Sequence, residues 1–182
     1  MSKDKGAWIQ TYSGRQFYLL APKPEDIDII DIAHALSMMC RFVGHSQKFY
    51  SVAQHSILVA QHCKSEFKLH GLLHDASEAY ISDLARPIKK LDFSKDYKIV
   101  EAKIMEAVHK RFNIVNSEES EQDVKLNDSR ALFTEKRDLM KSGLMWPGEN
   151  SFKSYTDIID PLLPEKAEYE FYKAFSSIIS RY

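Results

Sequence analysis

The chain has 182 residues and a formal net charge of −1, from 25 basic and 26 acidic side chains. Its length suits one domain with its own hydrophobic core, and 44% apolar with 28% charged residues exclude a disordered or fibrous protein. Because the net charge is close to zero, we do not expect a nucleic acid polymer as the main partner.

The N-terminal part of the chain predicts a hairpin and then a helix. Residues Trp8 to Leu20 (WIQTYSGRQFYLL) have aromatic and β-branched residues on both sides of Ser13-Gly14, which is the pattern of a short β-hairpin. After Pro24, apolar residues at helical spacing predict a helix from near Asp26 to about Cys40.

Most of the remaining chain has helical periodicity. SVAQHSILVAQHC, with Ser51 as its N-cap, and LHGLLHDASEAY predict adjacent core helices. DYKIVEAKIMEAVHKRF and SEQDVKLNDSRALFTEKRDLMK predict two amphipathic helices, and PLLPEKAEYEFYKAFSSII contains the last helix after an irregular segment between Lys141 and Pro161. We therefore predict one domain over residues 1–182, a mostly α bundle with a hairpin at about 8–20 and a helical core at about 26–182.

The sequence also predicts the cellular compartment. No apolar run approaches the roughly 18 residues that span a bilayer, and MSKDKGAW lacks the apolar stretch of a signal peptide. Cys40 and Cys63 are too few for a disulfide framework and are typical of a reducing compartment. We expect a cytoplasmic protein without a membrane partner.

Ionisable residues are concentrated in the stretch LLHDASEAY. Helical spacing places Glu78 one turn after both His74 and Asp75. Unpaired charges on a helix with so many apolar neighbours would cost several kcal/mol each. A divalent metal removes that cost, because neutral imidazole and carboxylate are ligands of zinc and its first-row neighbours.

Two further ligands are expected from other helices. His55 lies in a strongly apolar helix, and Asp128 falls on the apolar line from Val124 to Leu132, whereas Asp123 and Asp138 have more polar neighbours. A single histidine on an apolar face is usually a hydrogen-bonded core residue. That interpretation applies to the other histidines, which are His34, His45, His62, His70 and His109.

A rival zinc site combines His70 and His74, four residues apart, with His62-Cys63. It supplies no complete set of Cys or His ligands and leaves Asp75 and Asp128 unexplained. The set His55, His74, Asp75 and Asp128 is therefore favoured.

The order His55, His74-Asp75, Asp128 resembles the H…HD…D pattern of HD-domain metal-dependent phosphohydrolases. The stretch LLHDASEAYISDLARPIKK is more specifically similar to the branch of bacterial 5′-deoxynucleotidases and phage dATP triphosphohydrolases. The resemblance covers roughly Asp26 to Leu139 and implies an HD-domain helical bundle.

The resemblance also implies roles for the site residues. The four ligands would hold one divalent ion (zinc, manganese, cobalt or iron), with magnesium as a further option beside a triphosphate substrate. Glu78 would orient or deprotonate the attacking water, and Asp83 would lie close to the sugar and the reacting phosphate.

Substrate contacts are predicted on both sides of the ligands. The branch has an Arg-Trp pair where this chain has Arg41 and Phe42, so Phe42 is either a base-stacking side chain or a buried core residue. Basic residues around the metal suit a polyphosphate, although such residues near a helix end are often only a solvated face. The predicted substrate-binding residues are Arg41, Phe42, Val43, Pro87, Lys89 and Lys125, with Val43 and Pro87 against the base edge.

The leading expectation is a dATP triphosphohydrolase. The alternatives are a 5′-deoxynucleotidase acting on monophosphates, a guanosine alarmone hydrolase, a catalytically silent nucleotide-binding HD module, and a purely structural helical protein. The branch implies a homo-oligomer, and the aromatic residues Tyr169, Phe171, Tyr172 and Phe175 of the last helix would form either an interface or part of the core.

Overall fold

The computed structural model describes residues 6–180; residues 1–5, most of the MSKDKGAW stretch used to predict the compartment, and residues 181–182 of the predicted domain lie outside that range. The described residues form an antiparallel hairpin followed by helices, so the predicted mostly α fold class is confirmed. None of the helices within residues 6–180 combines the length and apolar character needed to cross a bilayer. The elements are β1 (Trp8–Gln10), β2 (Gln16–Tyr18), α1 (Ile29–Met38), α2 (Val52–His62), α3 (Lys68–Leu73), α4 (Glu78–Ile81), α5 (Lys95–Phe112), α6 (Glu118–Leu139) and α7 (Pro164–Ile179).

Both apolar and polar contacts fix the hairpin to the helices. Phe17 of β2 is fully buried and stacks on Tyr80, with 3.9 Å between ring centroids. The backbone N–H and hydroxyl of Ser13, in the turn, donate to the two oxygens of the buried Asp31 at 2.6 and 2.9 Å. Asp31 therefore satisfies the turn and anchors it to α1.

Helix α1 is shorter than the predicted span of 26 to 40. A short 3₁₀ turn occupies Pro24–Asp26, and the α-helix begins only after Asp28, whose side chain accepts a hydrogen bond from the N–H of Ile30 at 3.0 Å. Asp28 is therefore the N-cap, since its extended backbone prevents the helix from starting earlier.

The predicted helix through LHGLLHDASEAY is interrupted. Residues 74–77 form turns between α3 and α4, and the N–H groups of Ala76 and Glu78 donate to the carbonyls of Leu73 and Asp75, three residues back, at 3.0 Å each. Three residues per turn bring Asp75 and Glu78 to the same side of the chain. The interruption therefore occurs at the metal-ligand candidates themselves.

The other helices follow the sequence pattern. Ser51 caps α2 as predicted, accepting from the N–H of Gln54 at 3.1 Å, and Ser117 caps α6. Segment 140–163 is irregular apart from a 3₁₀ turn at Glu149–Ser151. α2 lies at the centre of the domain, where it packs against α1, α3, α6 and α7.

Helix α7 contributes to both the core and the surface. Phe171 is fully buried, and Phe175 packs edge-on against Phe112 with 5.3 Å between ring centroids. Tyr169 and Tyr172 are 59% and 47% exposed. The predicted aromatic cluster is therefore divided between core packing and an accessible face.

Helices α2 and α3 approach closely at Gly71. A Cβ atom added to Gly71 would lie 2.7 Å from the Sγ of Cys63 and 3.2 Å from the Cα of Ala60. His55 belongs to α2 and His74 follows the end of α3, so this contact sets the separation between the two histidines.

We expect Gly71→Ala to lower the free energy of unfolding by roughly 1–3 kcal/mol, because overpacking outweighs the gain of about 1 kcal/mol in helix propensity. Urea denaturation measures this. Gly6→Ala is the matched control, since nothing lies within 4 Å of its added Cβ. The penalty should shrink in a Cys63→Ala background; a Gly71→Ala protein as stable as Gly6→Ala would show that the close approach is absent.

Candidate metal centre

His55 is held inside the domain by a carboxylate. Its side chain is fully buried on α2, and its Nδ1 lies 2.6 Å from Oε1 of Glu135, which is also fully buried. A carboxylate only accepts hydrogen bonds, so the hydrogen of the neutral ring resides on Nδ1. The Nε2 lone pair of His55 is therefore available on the opposite side.

His74 is oriented in the same way by a backbone carbonyl. Its Nδ1 lies 2.8 Å from the oxygen of Gly71, and its Nε2 lies 3.3 Å from the Nε2 of His55. Since both Nδ1 atoms face acceptors, the neutral rings direct two lone pairs at each other. A proton on one Nε2, or a metal cation bound by both, removes the repulsion between the two lone pairs.

Two carboxylates complete the cluster. Oδ2 of Asp75 lies 3.3 Å from Nε2 of His74 and 3.7 Å from Nε2 of His55, and Oδ1 of Asp128 lies 3.3 Å from Nε2 of His55. Ligand bonds of about 2.0–2.2 Å place neighbouring donor atoms about 3.0–3.5 Å apart. The separations of 3.3 Å fit one first-row dication, and the 3.7 Å between Asp75 and His55 lies slightly beyond that range. Three of the four predicted ligands, His55, His74 and Asp75, offer donor atoms that all lie within 4.8 Å of one another, and Asp128 adjoins this group through its contact with His55.

The charges of the cluster favour a cation. Burial opposes protonation of His74, but Asp75 and Asp128 outweigh it and raise the pKa of His74 to about 9. Burial also opposes charge on His55, whose pKa is nevertheless raised by Glu135 and Asp128. The pKa values of Asp75 and Asp128 are lowered in spite of burial, because both carboxylates face the imidazoles.

Sequence reasoning did not identify Glu135. Its Oε2 accepts from Nη2 and Nε of Arg41 at 3.1 and 3.2 Å, while its Oε1 binds His55. The available signal was its spacing, since it lies seven residues after Asp128 on α6 and therefore on the same face. Glu135 joins the buried Arg41 to a metal-ligand candidate.

Arg41 is placed beside the cluster and not in solvent. Its side chain is 10% exposed, and Nη1 lies 3.8 Å from Oδ2 of Asp75 in addition to the contacts with Glu135. Two acids therefore already compensate the guanidinium that was predicted to bind substrate.

The next two residues have strained backbones. Phe42 and Val43 have φ values of 56° and 55°, in the left-handed region that costs a non-glycine residue about 1–2 kcal/mol. Val43 is 69% exposed, and the half-buried Phe42 ring lies 5.8 Å from the ring of Trp146, which comes from the irregular segment. The strained turn therefore presents an aromatic pair next to Arg41.

Glu78 is the first residue of α4, and its side chain is buried. Its side chain is 5% exposed; Oε1 accepts from Nζ of Lys89 at 3.2 Å, and Oε2 has no hydrogen-bond partner among the described residues. Burial, together with the charges of Asp75 and Asp83, raises the pKa of Glu78 to about 9. Asp83 is half-buried in the following loop.

Two further predicted substrate residues, Pro87 and Lys125, lie on the outer side of the site together with Arg86. Arg86 is 57% exposed and donates from Nη2 to Oδ2 of Asp128 at 3.2 Å. Pro87 is exposed beside it, and Lys125 is exposed on α6 one turn before Asp128. Arg86 therefore pairs with a ligand candidate, while Pro87 and Lys125 are exposed.

The other ligand candidates have separate partners. His70 packs edge-on against His109 at 5.3 Å, and His62 stacks on Tyr155 at 3.6 Å. Within residues 6–180, His55, His74 and Asp75 form the single cluster of three or more His, Cys, Asp or Glu side chains that could bind one metal ion. The rival site around His70 is therefore not assembled. Among the acids considered weaker, Asp123 accepts from the N–H of Lys64, and Asp138 pairs with Arg137.

Comparison with known proteins gives relatives but no activity. No protein-family model matches the chain. It is 42% identical over 142 residues to a protein of Escherichia coli strain K12 named uncharacterized protein YfdR, and the match covers 78% of each chain. It is 38% identical over 119 residues, 60% of each chain, to uncharacterized protein RCAP_rcc00048 of Rhodobacter capsulatus.

Metal affinity should decrease as the pH decreases, because His74 must lose its proton to bind the ion. Below its pKa of about 9, we expect the apparent Zn²⁺ or Mn²⁺ affinity to drop about tenfold per pH unit, and more where His55 is also protonated. Chelator competition between about pH 6 and about pH 9, corrected for the chelator's own protonation, measures this. An affinity independent of pH would contradict the assignment of His74.

The same pKa predicts the stability of the metal-free protein. The folded pKa of His74 lies above its usual 6.5, so its contribution is complete below about pH 6.5 and is lost as the pH rises through about 9.

Replacing Glu135 tests the support of His55. We expect Glu135→Gln to weaken metal binding about 10–100-fold, since the charge that orients the imidazole and compensates Arg41 is lost. Isothermal titration calorimetry measures the change. Glu121→Gln, an exposed change on the same helix, is the control, and an affinity for Glu135→Gln equal to this control would show that Glu135 does not support the metal.

Proposed function

We propose that the chain, which belongs to the same family as YfdR of Escherichia coli strain K12, is an HD-type metal-dependent phosphohydrolase of deoxynucleotides. The favoured substrate is a deoxynucleoside triphosphate, dATP. The observation that carries the proposal is the pair of facing imidazole Nε2 atoms 3.3 Å apart, with Nδ1 of each ring already bonded.

The donor set supports a divalent metal ion as the cofactor. A divalent ion held by His55, His74, Asp75 and Asp128 would neutralise phosphoryl oxygens and increase the acidity of a water molecule. Two imidazoles and two carboxylates suit zinc, manganese, cobalt or iron, and magnesium can accompany a triphosphate.

Glu78 is the proposed proton acceptor. Its Oε2 is buried and has no hydrogen-bond partner among the described residues, and the tight turn places it on the same side as Asp75. The raised pKa of Glu78 results from burial and neighbouring carboxylates, and positive charge at the ligand cluster lowers the pKa of a nearby carboxyl. Asp83 supports the site from the loop.

Substrate contacts would come from the exposed side of the cluster. Arg86 and Lys125 are the accessible cations next to Asp128 and suit a phosphate chain. Phe42 and Trp146 would offer aromatic faces to a base, with Val43 and Pro87 at its edge.

A second candidate is a 5′-deoxynucleotidase acting on monophosphates. It is favoured by the commitment of two cations to protein acids: Arg41 contacts Glu135, and Lys89 contacts Glu78. Fewer cations then remain for a triphosphate.

The proposal includes a cellular setting. The free thiols of Cys40 and Cys63 and a nucleotide substrate suit the cytoplasm. The exposed Tyr169 and Tyr172 of α7 offer a surface for a homo-oligomer.

The test is a nucleotide panel with metal added back. We expect dATP to yield deoxyadenosine and intact triphosphate, whereas a nucleotidase would release orthophosphate from dAMP. Asp75→Ala should lose both metal and turnover. Glu78→Gln should keep the metal while turnover falls about 10²–10⁴-fold, the usual contribution of a proton acceptor.

Asp96→Ala, an exposed change on α5, is the control and should behave as the wild type. Metal retained without turnover of any nucleotide, alarmones included, would indicate a silent binding module. Wild-type rates in both site variants would show that the site assignment is wrong.

A further inference from the structure

We propose that Lys89 is a positioning residue for the Glu78 carboxylate, held in place by Glu101, and is not a phosphate ligand. This inference rests on the proposed role of Glu78 as proton acceptor. It replaces the role that the sequence predicted for Lys89, which was substrate binding.

The contacts of Lys89 point into the protein. Its Nζ lies 3.2 Å from Oε1 of Glu78 and 2.8 Å from Oε1 of Glu101. The same Nζ lies 5.6 Å from the ring centroid of Tyr97, within the range of a cation–π interaction. Two carboxylates and an aromatic face therefore surround the ammonium group, whose side chain is only 24% exposed.

Helix α5 and the turn before it hold the loop that carries Lys89. The hydroxyl of Tyr97 donates to the carbonyl of Ser82 at 2.7 Å, and the hydroxyl of Ser94 donates to the carbonyl of Ile88 at 2.6 Å. These bonds fix the loop at its start and near its end. Glu101, two turns into α5, then fixes the ammonium group itself.

This anchoring determines which oxygen of Glu78 is available. Oε1 is bound to Lys89, whereas Oε2 is buried without a hydrogen-bond partner among the described residues. The charges of Asp75 and Asp83 both repel a negative charge on Glu78. The Lys89 ammonium opposes that repulsion and holds the carboxylate through Oε1, which leaves Oε2 to accept a proton.

A phosphate ligand would have to leave this arrangement. If Lys89 turned toward substrate, it would remove the counter-charge from a carboxylate whose side chain is 5% exposed. Its neighbour Lys90 lies in the same 3₁₀ turn with an exposed side chain. Lys90 is therefore a matched control for the loss of a positive charge in this loop.

Steady-state kinetics separate the two roles of Lys89. We expect Lys89→Met to lower kcat about 10–100-fold with KM within about threefold of wild type, because the proton acceptor is displaced while substrate contacts remain. Lys89→Arg should restore part of kcat, and Lys90→Met should match wild type. A raised KM with unchanged kcat would overturn the positioning role.

Glu101→Ala distinguishes the two roles of Lys89, because each role predicts a change in a different kinetic constant. If Glu101 fixes Lys89 for Glu78, kcat falls and KM is unchanged. If Lys89 binds phosphate, releasing it from Glu101 lowers KM for the nucleotide and leaves kcat intact, which would contradict the proposal.

A double-mutant cycle tests the contact without turnover. Urea unfolding of Glu78→Gln, Lys89→Met and the double variant should show strong coupling, since removing Lys89 matters less once the Glu78 charge is gone. Additive effects would overturn the positioning role. If the two substitutions are coupled but the wild-type protein hydrolyses no nucleotide, the contact between Lys89 and Glu78 is supported. In that case only the proposed function is overturned.

Discussion

The site depends on two imidazole rings whose outer nitrogens are bonded before any ligand arrives. The Glu135 carboxylate and the Gly71 carbonyl accept hydrogen bonds from the Nδ1–H groups of His55 and His74, and the two Nε2 atoms lie 3.3 Å apart. Two acceptors at that distance repel each other unless a proton or a metal cation lies between them. The nearby carboxylates of Asp75 and Asp128 add to the demand for positive charge.

The packing of the domain produces this arrangement. The absence of a side chain at Gly71 lets α3 approach α2, and the tight turns after α3 bring Asp75 and Glu78 to one side. Helix α6 supplies Asp128 and, two turns later, Glu135. A ligand and the group that orients its neighbour therefore come from a single rigid element, which suits a preorganised site.

Much of this could be predicted from the sequence, because an acid or histidine within an apolar helical pattern needs a partner. That argument led to His55 and Asp128, whereas turn residues and apolar periodicity predicted the hairpin and most helices. It could not identify Glu135, which lies in a stretch of α6 rich in charges, or Trp146, whose position depends on a segment without periodicity. The break in the helix at residues 74–77 gave no signal, because spacings of three and four residues fit the same sequence.

The most direct test of the central claim is anomalous diffraction from crystals grown with Mn²⁺ or Zn²⁺. The account predicts one strong peak about 2.0–2.3 Å from Nε2 of both His55 and His74, with carboxylate oxygens of Asp75 and Asp128 in the same coordination sphere. A peak at His70, ligation through Nδ1, or no peak between the two rings would contradict it.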